Sequence, residues 1–263
     1  MRHTTRQVTG SSTRRRLTGL LAAASAAVAL GASVAGCQAA RHADSAAPAA
    51  VRPVPSTSAA ASGSPAGGTT ASPITVPASG SGRFTVSRLA AKAVGEGTPL
   101  RYRVEVEDSI GLDADDAARE VGRILADPRG WTADGSSAFR LVASGPADLI
   151  VRIATPGTVD ALCGDAGLDT GGELNCTVDK TVLVNLKRWL RGSPEFDGPI
   201  GEYRALVINH EVGHRLGHGH EGCPGPGKPA PAMMQQIKGL HGCVANAWPY
   251  DRRGHYLGGP SVP

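Results

Sequence analysis

Three histidines and one glutamate lie within eleven residues of this 263-residue chain. His210 and His214 are four positions apart, so on a helix their imidazoles lie one turn apart on the same face and can reach one metal ion. Gly217 can adopt the left-handed backbone that ends a helix, which would turn the chain and bring His220 round as a third ligand. Three imidazoles leave a tetrahedral zinc ion one open position, as in catalytic zinc sites.

Glu211 directly follows the first of these histidines and is the candidate general base. Zn²⁺ held by three neutral imidazoles keeps its charge and can lower the pKa of a coordinated water towards 7. A carboxylate beside the ligands could accept the proton of that water as it attacks a peptide carbonyl, and then pass the proton to the departing amine. The alternative interpretation of Glu211 is a solvated carboxylate on the helix surface.

The spacing H-E-x-x-H-x-x-G-x-x-H resembles the motif of the metzincin zinc peptidases. Its residues here are His210, Glu211, His214, Gly217 and His220. The resemblance implies a methionine-containing turn beneath the metal, and the run 231–234 (Pro-Ala-Met-Met) follows soon after the third histidine. Met234 fits the small-x-Met pattern best, and Met233 is the second candidate. Methionines also commonly fill core space, which is compatible with a place in such a turn.

A second resemblance covers most of residues 95 to 250. The chain is similar to actinobacterial exported proteins of a family catalogued only as a domain of unknown function and regarded as metzincin-like. The segments that carry this similarity are 127–131, 209–220, 221–227, 233–236 and 246–249. The resemblance implies a zincin-like fold and a zinc site, and it implies little about the substrate.

The segments around the motif predict an α/β (α+β) domain. The run 100–107 (LRYRVEVE) alternates as a half-buried strand should, and 113–126 has the apolar stripe of a helix that begins at an Asp cap. Further strands are predicted at 139–143, 148–154 and 181–186, and a helix that carries the motif at 202–216. This order predicts helices packed on a twisted mixed sheet. The metzincin resemblance adds a small C-terminal subdomain with the Met-turn.

The first 36 residues are predicted to be a lipoprotein signal peptide. Residues 1–16 contain five arginines and no acid, and residues 17–35 are apolar and uncharged. Residues 34–37 (Val-Ala-Gly-Cys) resemble the bacterial lipobox, which implies a lipid on Cys37 and a protein held at the outer face of the cell membrane, in or near the cell wall. A transmembrane anchor is the alternative for the apolar run. Residues 13–17 also resemble a twin-arginine export signal.

The composition predicts a disordered tether at 37–82 and a folded domain at 83–263. Of the 45 residues from 38 to 82, 36 are Ala, Ser, Pro, Gly or Thr, which cannot bury enough apolar surface to offset the entropy of ordering. Without the five arginines of the leader, the 27 basic residues fall to 22, against 23 acidic residues. No basic excess therefore remains to indicate nucleic-acid binding.

Four cysteines follow the lipobox, an even number in a chain predicted to be exported, so disulfides are expected. Three pairings are possible. We favour Cys163 with Cys176 and Cys223 with Cys243, because each pair closes a short, Gly-rich segment. The rival interpretation makes them zinc ligands, but the chain has no C-x-x-C pair.

Several residues near the motif keep alternative interpretations. Some metzincins have a tyrosine two residues after the Met-turn methionine, where this chain has Gln236. Tyr250 or Tyr256 could fold back to assist at the metal, or they could be packing residues. His218 lies inside the motif at a position that matches no ligand, so it is predicted to be a surface or supporting residue rather than an alternative ligand.

Together these features predict an exported, lipid-anchored zinc metallopeptidase that hydrolyses protein or peptide substrates. Two alternatives stay open. One is a zinc-bearing binding or scaffold lipoprotein without catalysis, and the other is a peptidoglycan amidase, because the same zinc and base could hydrolyse a muramyl-peptide amide.

Overall fold

The computed structural model describes residues 75–108 and 110–263. Seven strands occur in this part of the chain: β1 Phe84–Val86, β2 Val94–Gly95, β3 Leu100–Glu107, β4 Ala138–Leu141, β5 Leu149–Ala154, β6 Cys176–Val178 and β7 Thr181–Asn185. The four helices described are α1 Ala114–Leu125, α2 Pro156–Gly164, α3 Leu186–Arg191 and α4 Ile200–Arg215. The predicted α/β class is confirmed.

All seven strands form one mixed sheet in the order β2-β4-β3-β5-β7-β6, and β1 pairs with the second half of β3. The four central strands β4, β3, β5 and β7 are parallel, whereas β2 and β6 pair antiparallel at the two edges. Parallel neighbours need crossover connections; α1 lies in the one from β3 to β4, and α2 in the one from β5 to β7. The edge strand β6 lies beside α4 and becomes part of the site.

The predicted helix at 113–126 begins as its sequence indicates. The Asp113 side chain accepts a hydrogen bond from the backbone N–H of Asp116 at 2.9 Å, and so caps the first turn of α1. The apolar stripe of α1, including Ala118 and Val121, is fully buried against β3 and α4. This packing forms the main core between the sheet and the two helices.

Strand β3 differs from the prediction, because both of its faces are buried along its second half. Glu105 lies on the face predicted to be solvated, yet only 3% of it is exposed. Its carboxylate accepts hydrogen bonds from Arg103 at 2.7 Å and from Arg152 at 2.6 and 2.9 Å. Charge pairing therefore allows burial of a carboxylate in the central strand, which an alternating pattern does not reveal.

Residues 75–82, which precede the predicted domain start at 83, make hydrogen bonds to the sheet and to α2. The N–H of Gly157 donates to the carbonyl of Ala78 at 2.8 Å, and the N–H of Gly82 donates to Glu107 Oε1 at 2.7 Å. Val76 packs against the main core. A segment poor in apolar residues cannot build a core of its own, but its backbone can bond to an existing sheet. The predicted leader, Cys37 and the part of the predicted tether before residue 75 lie outside the described residues.

Several elements were missed from the sequence: β1, β2, β6, α2 and α3. The strands among them have two or three residues, and the helices nine and six, so they are too short for a periodic pattern. After α4, residues 216–263 contain one 3₁₀ turn, Gln236–Lys238, and isolated β-bridges. Within the described ranges, no helix is both long and apolar enough to cross a membrane.

Candidate metal centre

Helix α4 carries the first two histidines of the cluster. It runs through the core, with Leu206, Ile208 and Val212 buried, so its last turns are held firmly by packing. The ring centroids of His210 and His214 are 4.8 Å apart. A separation of four residues on a packed helix therefore delivers two imidazoles to one point, as the motif predicted.

A chain reversal directly after α4 brings in the third histidine. Gly217 has a φ of +94°, and the N–H of His218 donates to the carbonyl of Gly213 at 2.9 Å, which closes the end of the helix. The His220 ring then lies 4.7 Å from the His214 ring and 5.4 Å from the His210 ring, between centroids. One potential ligand atom from each of the three histidines lies within 4.8 Å of the others.

Backbone carbonyls hold the imidazole rings from the outer side. Nδ1 of His210 is 2.9 Å from the carbonyl oxygen of Ala232, and Nδ1 of His214 is 2.9 Å from that of His218. A carbonyl only accepts, so each Nδ1 must carry the proton and donate it. This tautomer leaves Nε2 with a free lone pair for a metal ion.

The electrostatic surroundings favour neutral imidazoles. Burial, aided by the neighbouring His214, lowers the pKa of His210 to about 3. Burial also lowers the pKa values of His214 and His220 below the usual value for histidine. Neutral rings can bind a cation without first losing a proton, so the donor set fits a zinc-like divalent ion.

Glu211 is buried beside the cluster, with 5% of its surface exposed. The hydroxyl of Thr177, on the edge strand β6, donates to Glu211 Oε2 at 2.8 Å and lies 3.0 Å from the Glu211 backbone carbonyl. Burial raises the pKa of the Glu211 carboxyl to about 7, although the Thr177 hydrogen bond acts in the opposite direction. A solvated surface carboxylate is therefore excluded.

The turn that contains both methionines is bonded to the cluster. The N–H of Met234 donates to the carbonyl of Pro231 at 3.0 Å, and this turn carries the Ala232 carbonyl that holds His210. Met233 is fully buried against α4: a Cβ added at Gly213 would lie 2.3 Å from its sulfur. Met234 is also buried, but packs with Ala230 and Cys243. The two methionines thus pack in different clusters.

His218 supports the cluster without joining it. Its ring stacks on the indole of Trp131, with centroids 4.2 Å apart, while its carbonyl holds His214. The Trp131 Nε1–H donates to the backbone carbonyl of Asn209 at 2.8 Å, so the indole is itself fixed to α4. Tyr250 packs edge-on against the same indole, and the Tyr256 hydroxyl donates to Glu221 Oε1 at 3.0 Å.

Two disulfides flank the site, in both of the pairings that the spacing favoured. Cys163 is bonded to Cys176, next to Thr177, and Cys223 is bonded to Cys243, after the histidine cluster. The zinc-ligand interpretation of these four cysteines is therefore wrong. Disulfides of this kind are typical of extracellular domains.

A small cavity opens directly beside the candidate base. Its volume is about 70 Å³, and His210 and Glu211 form part of its wall. The remaining wall is mainly apolar, with Leu206, Val207 and Ile237 among its residues. A side chain of a bound molecule could enter this cavity while an adjacent polar group faces the histidines.

The family model of DUF3152, described as a protein of unknown function, matches residues 70–246. The chain belongs to the DUF3152 family. The matched range contains α4, the three histidines, Glu211 and Thr177. Searches of curated proteins and of solved structures found no match.

Sequence reasoning missed two kinds of contributor to this DUF3152 site. Thr177 lies 34 residues before Glu211 and belongs to no motif; its only signal is its place after Cys176. The carbonyls of Ala232 and His218 belong to the backbone, so residue type cannot identify them. The DUF3152 match begins at residue 70, so it includes residues 75–82, which bond to β3 and α2.

Proposed function

We propose that this DUF3152 protein is a zinc-dependent peptidase of the metzincin type. The observation that carries the proposal is the convergence of three neutral imidazoles, two of them held by their Nδ1 atoms, beside a buried carboxylate that is not itself in the cluster. A structural zinc site needs four protein ligands, whereas three ligands and an adjacent base are typical of hydrolytic sites.

His210 and His214 would hold the ion through Nε2, and His220 through one of its ring nitrogens. When bound, Zn²⁺ supplies Lewis-acid activation of water and of a substrate carbonyl. The Glu211 carboxylate accepts the proton of the attacking water and delivers it to the departing amine. The positive charge of a bound cation would lower the pKa of Glu211 below about 7, so that it is ionised at neutral pH.

Thr177 has a positioning role in this proposal. Its hydroxyl binds Oε2, which leaves Oε1 of Glu211 as the oxygen available to the reacting water. Strand β6 is tied at Cys176 to α2 by a disulfide, so the hydroxyl is presented from a covalently fixed strand. A carboxylate held in one orientation loses less entropy on reaching the transition state.

The proposed substrate is a protein or peptide, and the cavity supports a preference for an apolar side chain next to the cleaved bond. Its lining contains no Lys or Arg, so an acidic side chain would gain no cationic partner there. Its one acid is Glu211, the proposed base, so a basic side chain would compete with the reacting water for that carboxylate. We further propose that the protein is exported and held at the outer face of the membrane by lipid on Cys37. The disulfides support an oxidising compartment.

The proposal is tested by measuring zinc content and cleavage of a peptide library with the full-length protein. We expect one zinc ion per chain in the wild type and in Glu211→Gln, with cleavage lowered by about 10²- to 10⁴-fold in the variant. His220→Ala should bind zinc much more weakly through the two remaining histidines and should be purified with less than one ion per chain. Glu195→Gln, a change of an exposed glutamate, serves as the matched control and should cleave normally.

Three results would contradict the proposal. Stoichiometric zinc without turnover of any peptide or muropeptide would indicate a binding protein. Cleavage of muropeptide amides alone would indicate a peptidoglycan amidase. Full activity of Glu211→Gln would remove Glu211 from the chemistry.

A further inference from the structure

Residues 259–263, named here the return segment, fold back onto the chain that carries the third histidine. The N–H of Val262 donates to the carbonyl of His220 at 3.0 Å, and the N–H of Gly222 donates to the carbonyl of Pro260 at 2.7 Å. Glu221 and Ser261 face each other as an antiparallel bridge. These two backbone hydrogen bonds therefore pair His220 with Val262 and Gly222 with Pro260, on either side of the bridge.

The approach of the two backbones is too close for any side chain at Gly259. A Cβ added there would lie 1.9 Å from the carbonyl oxygen of Gly222 and 2.9 Å from the Pro231 ring. Just before this glycine, the Tyr256 hydroxyl donates to Glu221 at 3.0 Å. The return segment is thus held at its beginning as well as along its length.

His220 differs from the other two histidines in how it is held. The backbone carbonyls of Ala232 and His218 accept hydrogen bonds from the imidazoles of His210 and His214. The packed helix α4 holds His210 and His214 in position. His220 follows Gly219 in irregular chain, so its position depends on bonds made after the helix has ended.

We propose that the return segment positions His220 and so sets the affinity and geometry of the metal site. This inference rests on the proposed zinc function. The segment lies beyond the residues matched by the DUF3152 model, which end at 246. The support of the third ligand therefore comes from a part of the chain outside the matched range.

The test compares Val262→Pro with Val262→Ala in the full-length protein. Proline removes the N–H that bonds to His220, whereas alanine keeps it, and the Val262 side chain is already 41% exposed. Zinc affinity is measured by competition with a chromophoric chelator. The bond fixes the backbone of His220 and not its ring, so its loss should weaken zinc binding by about 10-fold in Val262→Pro, at the lower end of the effect of losing a bond to the ligand side chain, with little change in Val262→Ala.

Two further measurements separate positioning from general destabilisation. In the His220→Ala background, Val262→Pro should cause no further loss of affinity, because the residue through which it acts is gone. Co²⁺ bound in place of zinc should show an altered visible spectrum in Val262→Pro and an unaltered one in Val262→Ala. Gly259→Ala should reproduce both effects, and urea unfolding of the metal-free variants verifies that each one is folded.

Equal zinc affinity of folded Val262→Pro and Val262→Ala would overturn the inference and leave the peptidase proposal intact. An equal further loss in the His220→Ala background would overturn it too, because the effect would not pass through His220. Loss of zinc in Val262→Pro, combined with a wild type that binds zinc but cleaves nothing, would support the inference and contradict the peptidase. A wild type that binds no zinc would overturn both.

Discussion

The carboxyl group of Glu211 is buried, so water cannot solvate its negative charge. Its pKa rises from 4.5 to about 7 in the metal-free fold because it is buried, and the single hydrogen bond from Thr177 offsets only part of this cost. Below pH 4.5 the group is protonated in both the folded and the unfolded chain. As pH rises through 7, the folded chain must ionise a buried carboxyl group, so the stability that the fold has below pH 4.5, where this group is protonated, is partly lost.

Glu211→Gln should therefore stabilise the metal-free protein at pH 8 and leave it nearly unchanged at pH 4. From the raised pKa we expect a gain of up to about 3 kcal/mol in the free energy of unfolding at pH 8. Urea denaturation in the presence of a chelator measures it. Glu195→Gln, at an exposed position, should show no such pH dependence. The same stability for both variants at pH 8 would contradict the raised pKa.

At the scale of elements, α4 serves as both a core helix and the frame of the cluster. Gly213 lies between the two helical ligands, on the face that packs against Met233 and Trp131. A Cβ there would lie 2.3 Å from the methionine sulfur and 2.7 Å from the indole. Only glycine allows α4 to approach these two side chains so closely.

Gly213→Ala should lower the free energy of unfolding by roughly 1–3 kcal/mol, because a buried methyl group overpacks this contact. Gly201→Ala on the same helix is the matched control, since a Cβ there meets nothing within 4 Å. The control should be neutral or stabilising, by up to about 1 kcal/mol. Chemical denaturation measures both variants. If Gly213→Ala were as stable as Gly201→Ala, the close packing of Met233 on α4 would be wrong.

At the scale of the whole molecule, the proposed metal joins chain segments that are far apart in sequence. Helix α4 carries two of the three histidines, the turn at residues 231–234 accepts a hydrogen bond from the His210 ring, and the return segment donates one to the backbone carbonyl of His220. An ion that binds only the folded chain stabilises all of these connections at once.

Removal of the metal should therefore lower the melting temperature of the entire domain. Zinc at about 100 times its dissociation constant adds about 2.7 kcal/mol. For a domain of this size that corresponds to a loss of roughly 5–10 °C on chelation. Scanning calorimetry with and without chelator measures the shift. His220→Ala is the control and should show a much smaller one, and an equal shift in both proteins would place the ion elsewhere.

Local sequence patterns predicted the elements whose geometry is itself local. The Asp113 cap, the stripe of α1 and the two histidines four residues apart all depend on the regular spacing of a helix, which is independent of the rest of the fold. The positive φ of Gly217 is likewise a property of the residue type. These local features were sufficient to predict the α/β class and the three candidate metal ligands.

Contacts between distant segments could not be predicted in the same way. Residues 75–82 read as tether by composition, yet their backbone bonds to β3 and α2, and Glu105 is buried because arginines from two strands reach it. Short strands such as β6 carry no periodic signal, although β6 carries Thr177 to the site. In each case the position or burial of a residue depends on contacts with residues far away in the sequence.

The sequence by itself determined which residues can bind a metal, because the chemistry of imidazole and the helical spacing of His210 and His214 belong to the residues and to local geometry. Only the tertiary structure decided how those groups are held and tuned. The Thr177 hydroxyl, the carbonyls of Ala232 and His218, and the return segment reach the site through packing. Burial, which sets the pKa values of Glu211 and His210, is likewise a property of the whole fold.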